Sequence, residues 1–267
     1  MRIGIIGFGV VGKAAGATFS EKYALVKYDK FVEYDKFEKL LTCSFVFVMV
    51  PTPFDCKKNE VDDSAILETL ERLESLSYKK PVIIKSTVPP GRCDYYSTNF
   101  NLEIVFNPEF LRESMTPDED FKNQDTIVIG TSKSKIFQEV RSLYEEVLVP
   151  NASYYHTSFI EAEMIKCSQN TMLASRVALA NMFYDACKEY NVDYDRVKEI
   201  AFDRFKIIGK EMTQVPGPDG NRGFGGKCLP KDTLAFSTVY SSELLQAIIS
   251  YNSTLRDDLD KFLKNYK

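Results

Sequence analysis

A single cysteine, Cys228, stands in the run Gly223 to Asp232, GFGGKCLPKD, between a glycine loop and a helix start. Pro230 suits a first helical turn, and an apolar-periodic run follows from Leu234. The amide dipoles of a helix N-terminus, with Lys227 and Lys231 beside them, favour a thiolate, so Cys228 is a candidate nucleophile. The same pattern leaves open an inert cysteine serving as a small buried hydrophobe. Upstream, Glu163, Lys166 and Asn170 fall at i, i+3 and i+7, on one face of a helix. An ammonium and a carboxamide one turn apart can hold an oxyanion, with the acid behind them fixing the lysine. A solvated polar face is the plainer alternative. His156, the one histidine, has no acid partner evident in the sequence and reads as structural, although a histidine is the usual first suspect for a general base.

These residues need a scaffold to hold them. The apolar strand Arg2 to Ile6 runs into Gly7-Phe8-Gly9-Val10-Val11-Gly12 and then an alanine-rich helical stretch. Glycines at this GxGxxG spacing permit a tight turn, close approach to a pyrophosphate at the helix N-terminus and close helix-to-strand packing. A second strand, Ala24 to Tyr28, ends in Asp29, an acid placed to accept from an adenosine ribose and to repel a 2′-phosphate. NAD is therefore expected, and not NADP. Further strand runs at Phe45 to Val50, Pro81 to Lys85, Glu103 to Phe106 and Thr126 to Ile129 alternate with helical patterns such as Asp62 to Leu76 and Lys133 to Val147. This alternation predicts an α/β fold with a Rossmann-like, doubly wound parallel sheet. Three strand ends carry distinctive sequences, Pro51-Thr52-Pro53, Lys85 to Gly91 (KSTVPPG) and Asn107 to Glu113 (NPEFLRE), and ligands of such sheets bind at that edge. After a short strand at Ser153 to His156, a capping box at Ser158 to Glu161 opens a helix to about Tyr190. The predicted domains are residues 1–157, binding NAD, and an all-helical dimerisation domain over 158–267. A helix from about Asp193 to Phe202, a breaker-rich loop from Pro216 to Gly223 expected to be flexible, and a helical pattern from Lys231 onward complete the chain.

Composition narrows the field. The chain has 267 residues, 44% of them hydrophobic, and a formal net charge of −4 without a basic stripe, so nucleic acid is not an expected partner. The six cysteines are scattered without close pairs, which suggests neither a metal site nor a disulfide framework and points to a reducing, cytoplasmic setting. No run approaches the length of a membrane span, so no membrane association is expected.

Taken together and in order, GFGVVG, VPTP, KSTVPPG, NPEFLRE, the Glu163/Lys166/Asn170 face and GFGGKCLPKD resemble the UDP-glucose/GDP-mannose dehydrogenase family. The resemblance runs from Arg2 to about Leu245. It implies an NAD-dependent oxidoreductase that converts the primary alcohol of a nucleotide sugar, UDP-glucose-like, to a uronic acid through a cysteine-bound thiohemiacetal and thioester. Such products feed polysaccharide biosynthesis. It also implies a role for each residue. Cys228 would be the nucleophile, and Lys166 and Asn170 would stabilise the oxyanion. Asp232, Thr87 and Glu109 would position or activate water, with Glu109 the base for thioester hydrolysis. Gly7, Gly9, Val10, Val11, Gly12, Asp29, Lys30, Pro51, Thr52, Ser86 and Thr87 would contact NAD. Phe110, Leu111, Arg112, Glu113, Lys166, Gly223, Phe224 and Gly225 would contact the substrate. The chain departs from the family pattern at Ile207-Ile208-Gly209, where Arg-Ile-Gly is usual. It is also expected to depart in length, as a short form without the second nucleotide-binding α/β domain. The expected assembly is a homodimer through the helical domain. Two other classes fit parts of the pattern: a β-hydroxyacid dehydrogenase, which has no need of Cys228, and a non-enzymatic NAD-binding regulatory relative.

Overall fold

In chain order the elements are β1 (Arg2–Ile6), α1 (Val10–Phe19), β2 (Ala24–Tyr28), a 3₁₀ turn (Phe37–Thr42), β3 (Phe45–Val48), the short strands β4 (Phe54–Asp55) and β5 (Glu60–Val61), α2 (Ser64–Ser75), β6 (Pro81–Ile84), α3 (Arg92–Asn99) and β7 (Glu103–Phe106). They continue as α4 (Pro117–Lys122), β8 (Thr126–Gly130), α5 (Ser134–Glu145), β9 (Ser153–Thr157), α6 (Phe159–Glu189), α7 (Tyr194–Lys198) with a π turn (Glu199–Asp203), α8 (Leu229–Val239) and α9 (Glu243–Leu255). The structure, a computed structural model, describes residues 1–111, 116–204, 214–239 and 243–256.

Two compact units divide the chain: Met1–Thr52 with Val61–Lys166, and Pro53–Glu60 with Cys167–Lys267. The sequence reading put the boundary at 157/158. The first unit reaches to Lys166 because the opening turns of α6 pack into its core, with Phe159 and Ala162 in one cluster with Val46, Val48 and Leu70.

In the first unit seven strands form one sheet in the order β2-β1-β3-β6-β7-β8-β9. Strands β3 (FVFV) and β6 (PVII) are buried at every residue, as expected of inner strands covered on both faces. Alternation sorts their side chains between two layers. Val46 and Val48 pack with Ile66, Leu70 and Leu73 of α2 and with Cys93 and Tyr96 of α3. Phe45 and Phe47 pack with Ala14, Ala15 and Phe19 of α1, Phe121 of α4, and Phe137, Val140 and Leu143 of α5. Each Val, Leu, Ile or Phe among them contributes about 1.5–3 kcal/mol on burial, which makes these two layers the main support of the strand ends. The sheet is not wholly parallel. Strands β7 and β8 pair antiparallel, through Phe106 and Gly130, whereas β8 and β9 run parallel to each other.

Both ends of α6 follow local rules. The Ser158 amide donates to Glu161 Oε2 (2.7 Å) and the Glu161 amide to Ser158 Oγ (3.3 Å), a reciprocal capping box. At the other end Asn191 takes φ 56, and the amides of Val192 and Asn191 reach back to the carbonyls of Cys187 and Lys188. That is a left-handed helix stop with asparagine in place of glycine.

The second unit is helical apart from β4 and part of β5. Its cores are small: Ala174, Val177, Ala178 and Phe224 with Leu229, Ile248 and Tyr251 around them, and Ala180, Tyr194 and Val215 with Tyr184, Cys187 and Phe202. The helical pattern expected to run on from Lys231 is two helices, α8 and α9.

Candidate active site

The three glycines after β1 have three different reasons to be glycine. Gly7 has φ +86, and a Cβ there would lie 2.4 Å from the Met49 carbonyl oxygen. At Gly12 a Cβ would lie 2.2 Å from the Gly7 carbonyl oxygen, so this glycine lets α1 sit against the turn. Gly9 is the N-cap of α1, and a Cβ there would meet nothing within 4 Å. Open space above unpaired first-turn amides is what a pyrophosphate requires, so the cradle fits a dinucleotide. Val10 is exposed beside it and Val11 half-buried. Asp29 is bound into the same turn, accepting from the Phe8 amide (2.8 Å, Oδ2) and the Phe31 amide (2.9 Å, Oδ1). The exposed Lys30 pairs with Glu68 at 2.6 Å. Along the strand ends, Ser86 donates to the Val50 carbonyl (2.7 Å) and Thr52 to the Thr87 carbonyl (2.8 Å). Both hydroxyls tie β3 to β6, while Pro51 stands exposed.

A buried polar cluster lies at the ends of β6 and β7. The Lys85 ammonium, 2% exposed as a residue, donates to Asn107 Oδ1 (3.0 Å), the Asn107 carbonyl (3.3 Å) and the Tyr144 hydroxyl (3.3 Å). It stands 3.1 Å from Glu109 Oε2. Burial pushes the Lys85 amine down, and the Glu109 charge opposes that shift. Glu109 Oε1 accepts from the amides of Phe110 and Leu111, both at 2.9 Å, whereas Oε2 is buried against the Lys85 ammonium. Lys166 is buried as well, with Nζ 5.1 Å from the centre of the Phe110 ring. Glu163, expected behind the lysine, instead gives its oxygens to the amides of Gly91 (2.6 Å) and Cys93 (2.7 Å) and so caps α3. Burial raises its carboxyl above the ordinary value despite those two amides. His156 is structural, stacked on Phe137 with ring centres 4.6 Å apart and bonded to the Thr131 carbonyl.

In the second unit Cys228 directly precedes α8 and is exposed. Its carbonyl accepts from the Asp232 amide (2.8 Å), which makes it the N-cap of that helix. Asp232 is fully buried, its Oδ2 accepts from the Asn170 carboxamide, and its Oδ1 lies 2.6 Å from Lys231 Nζ. Asn170 is one turn beyond Lys166 on α6, as the sequence spacing required.

The loop ahead of Cys228, read from sequence as flexible, is held by side chains of the second unit. Asn252 on α9 accepts from the Phe224 amide (2.7 Å) and donates to the Phe224 carbonyl (3.1 Å). Arg256 donates to the Gly223 carbonyl (3.2 Å) and to Asp219 (2.6 Å). A Cβ at Gly223 would be 2.5 Å from Asn252 Oδ1, and one at Gly225 would be 2.4 Å from Arg256 Nη1. The glycines there make room for the chain's own side chains.

Lys85, Asn107, Tyr144, Asn252 and Arg256 are thus important residues to which the sequence reading gave no role. A lysine closing the apolar run PVIIK was the one legible signal. Arg112, Glu113 and the Ile207-Ile208-Gly209 departure lie outside the described residues. Among the described residues no cluster of metal-binding side chains occurs, and no helix is long and apolar enough to cross a membrane.

Known proteins match this arrangement along most of the chain. Residues 26–148 match the NAD binding domain of the UDP-glucose/GDP-mannose dehydrogenase family, and residues 160–254 match its central domain. The UDP-glucose 6-dehydrogenase of Rickettsia bellii is 33% identical over 228 residues, which is 80% of this chain and 50% of that protein. The chain spans about half the length of the curated relatives it matches. Among solved structures, a UDP-glucose dehydrogenase of Pyrobaculum islandicum superposes with TM-score 0.79 at 24% identity, covering 95% of this chain and 68% of that one. A UDP-D-ManNAc dehydrogenase of Pyrococcus horikoshii also gives 0.79, at 21% identity, covering 98% and 69%. At these identities the structural likenesses speak for the fold, and it is the two domain matches in sequence that decide kinship: the chain belongs to the UDP-glucose/GDP-mannose dehydrogenase family.

Proposed function

We propose that this chain oxidises the primary alcohol of a UDP-glucose-like nucleotide sugar to the uronic acid. The observation that carries the reading is the pairing of buried Asp232 with Asn170, one helical turn after the exposed Cys228 that caps the same helix. NAD, held by Gly7 to Gly12, Asp29 and the β3 and β6 strand ends, supplies the hydride acceptor, one molecule for each two-electron step. Cys228 adds its sulfur to the aldehyde carbon, and the resulting thiohemiacetal is oxidised to a thioester. Lys166 and Asn170 offer their N–H groups to the oxyanion, a charge for which buried donors are most effective. Water then adds to the acyl carbon and gives a proton to Glu109, the carbon–sulfur bond breaks, and Cys228 leaves as thiolate. Thr87 and Asp232 orient that water. Phe110 to Glu113 and Gly223 to Gly225 contact the sugar nucleotide.

The reading extends to assembly and setting. Ile160, Met164, Ile165, Met172, Leu179, Met182 and Phe183 are exposed on α6, an apolar surface suited to an isologous homodimer. We place the protein in the cytoplasm, in line with its scattered cysteines.

The test incubates the protein with NAD and a panel of nucleotide sugars, following NADH and acid together. Two NADH per acid are expected, with no acid formed by Cys228→Ala although it still binds NAD. Lys166→Ala should be slower by on the order of 10²-fold. One NADH per product would instead mark a simple alcohol dehydrogenase.

A further inference from the structure

We propose that Asn252, together with Arg256 and Asn181, is a positioning residue for Cys228: it fixes the backbone of Gly223 and Phe224, from which the arch bearing the cysteine springs. The inference rests on the function proposed above, which makes Cys228 the nucleophile.

Four consecutive backbone groups are each met by a side chain from a helix or its end. The Gly223 amide donates to Asn181 Oδ1 (3.1 Å), and the Gly223 carbonyl accepts from Arg256 (3.2 Å). The Phe224 amide donates to Asn252 Oδ1 (2.7 Å), and the Phe224 carbonyl accepts from Asn252 Nδ2 (3.1 Å). One carboxamide thus satisfies both polar groups of one residue, as a neighbouring strand would. Asn181 on α6 and Asn252 on α9 are each 1% exposed, so water is a poor substitute for either, and removing one leaves a buried amide without its acceptor. Asn181 is itself held, its Nδ2 donating to the Val177 carbonyl at 2.9 Å. These side chains decide the course of the backbone at Gly223 and Phe224.

Beyond Phe224 the chain runs through Gly225-Gly226-Lys227-Cys228 to Leu229, the first residue of α8. Phe224 and Leu229 belong to one apolar cluster with Ala174, Val177 and Ala178. The cysteine therefore ends a four-residue arch with both feet in a small core. Two of the four are glycines, with Gly226 at φ +73, and such an arch has many conformations open to it unless its feet are fixed. The helix fixes one foot at Leu229, and Asn252 fixes the other at Phe224. Precision matters here because a reacting atom displaced by about 1 Å loses on the order of 10²-fold in rate.

Asn252→Ala should lower kcat for acid formation by on the order of 10–100-fold, counted per NAD-binding site, with KM for NAD unchanged. Hydrogen exchange read by mass spectrometry reports the cause: the peptide over 223–228 should exchange at least about tenfold faster, while α8 and α9 keep their rates. Equal acceleration throughout the helical unit would make the asparagine merely structural and overturn the inference. So would a loosened loop with full acid formation. If the native chain forms acid from no nucleotide sugar, the function proposed above falls, and exchange alone then judges the clamp: faster exchange confined to 223–228 upholds it, and unchanged exchange there overturns it. Should Asn252→Ala not fold, Arg256→Met decides. It removes the bond to the Gly223 carbonyl, so the same peptide should exchange faster and kcat should fall, and a variant with neither change overturns the inference.

Discussion

Two glycine-rich loops of this chain each run into a helix, and they use their glycines in opposite ways. In the loop Gly7 to Gly12 the middle glycine faces open space, and the acid that belongs to the loop, Asp29, is bound to its backbone with capacity left for a ligand. In the loop Gly223 to Gly226 the corresponding room is taken by Asn252 and Arg256, and the loop's acid, Asp219, is paired with Arg256. A glycine motif thus records that something must come close to the backbone. Whether that is a ligand or the protein's own side chain depends on what the fold brings there.

Substitutions can separate these cases. The largest effect is expected at Gly7→Ala, where left-handed strain and a carbonyl oxygen 2.4 Å from the new carbon combine. We expect a loss on the order of 3 kcal/mol or more in urea unfolding. Gly9→Ala, two residues on, should unfold within about 0.5 kcal/mol of the native chain yet bind NAD at least about tenfold more weakly in calorimetry. Equal unfolding by the two variants would erase the distinction drawn within the first loop.

In the second loop, Gly225→Ala should cost about 1–2 kcal/mol, because the obstructing atoms are the far end of one buried arginine. Combining it with Arg256→Ala should cost less than the sum of the two single changes, the sign of a shared contact. Strict additivity in that cycle would mean the glycine is not there to admit the arginine.

The two acids sharpen the contrast at smaller scale. Asp29 should favour NAD over NADP by about tenfold or more, roughly 1.4 kcal/mol, and Asp29→Asn should narrow that ratio without changing unfolding. Similar affinities for both cofactors in the native chain would remove the ribose role of Asp29. For Asp219, burial pushes the carboxyl up, but the bond from Arg256, the Asn221 amide and the Arg256 charge together outweigh it and hold the group below its ordinary value. A carboxyl depressed in the folded state adds stability above its unfolded value and loses it as pH falls through the folded one. Asp219→Asn should therefore flatten the acid limb of thermal stability below about pH 4, by under about 1 kcal/mol for so exposed a carboxylate. An unchanged limb would show that the Arg256 bond to Asp219 adds nothing to folding.

Much of this molecule was legible in its residues because the signals are local. The strands Arg2–Ile6 and Glu103–Phe106 fall where apolar runs place them, since an inner strand needs little more than such a run. The start of α6 follows from Ser158 and Glu161, and the shared face of Lys166 and Asn170 follows from helical spacing alone. What the sequence could not yield depends on partners far along the chain. The antiparallel pairing of β7 with β8 is a matter of how a connection returns to the sheet. Glu163 left its expected lysine because α3, some seventy residues earlier, presents uncapped amides to it. Lys85 gained its surroundings only when Asn107 and Glu109 of one segment and Tyr144 of another closed around its charge, and burial, which sets the strength of that charge, is a property of the fold and of no single stretch of sequence.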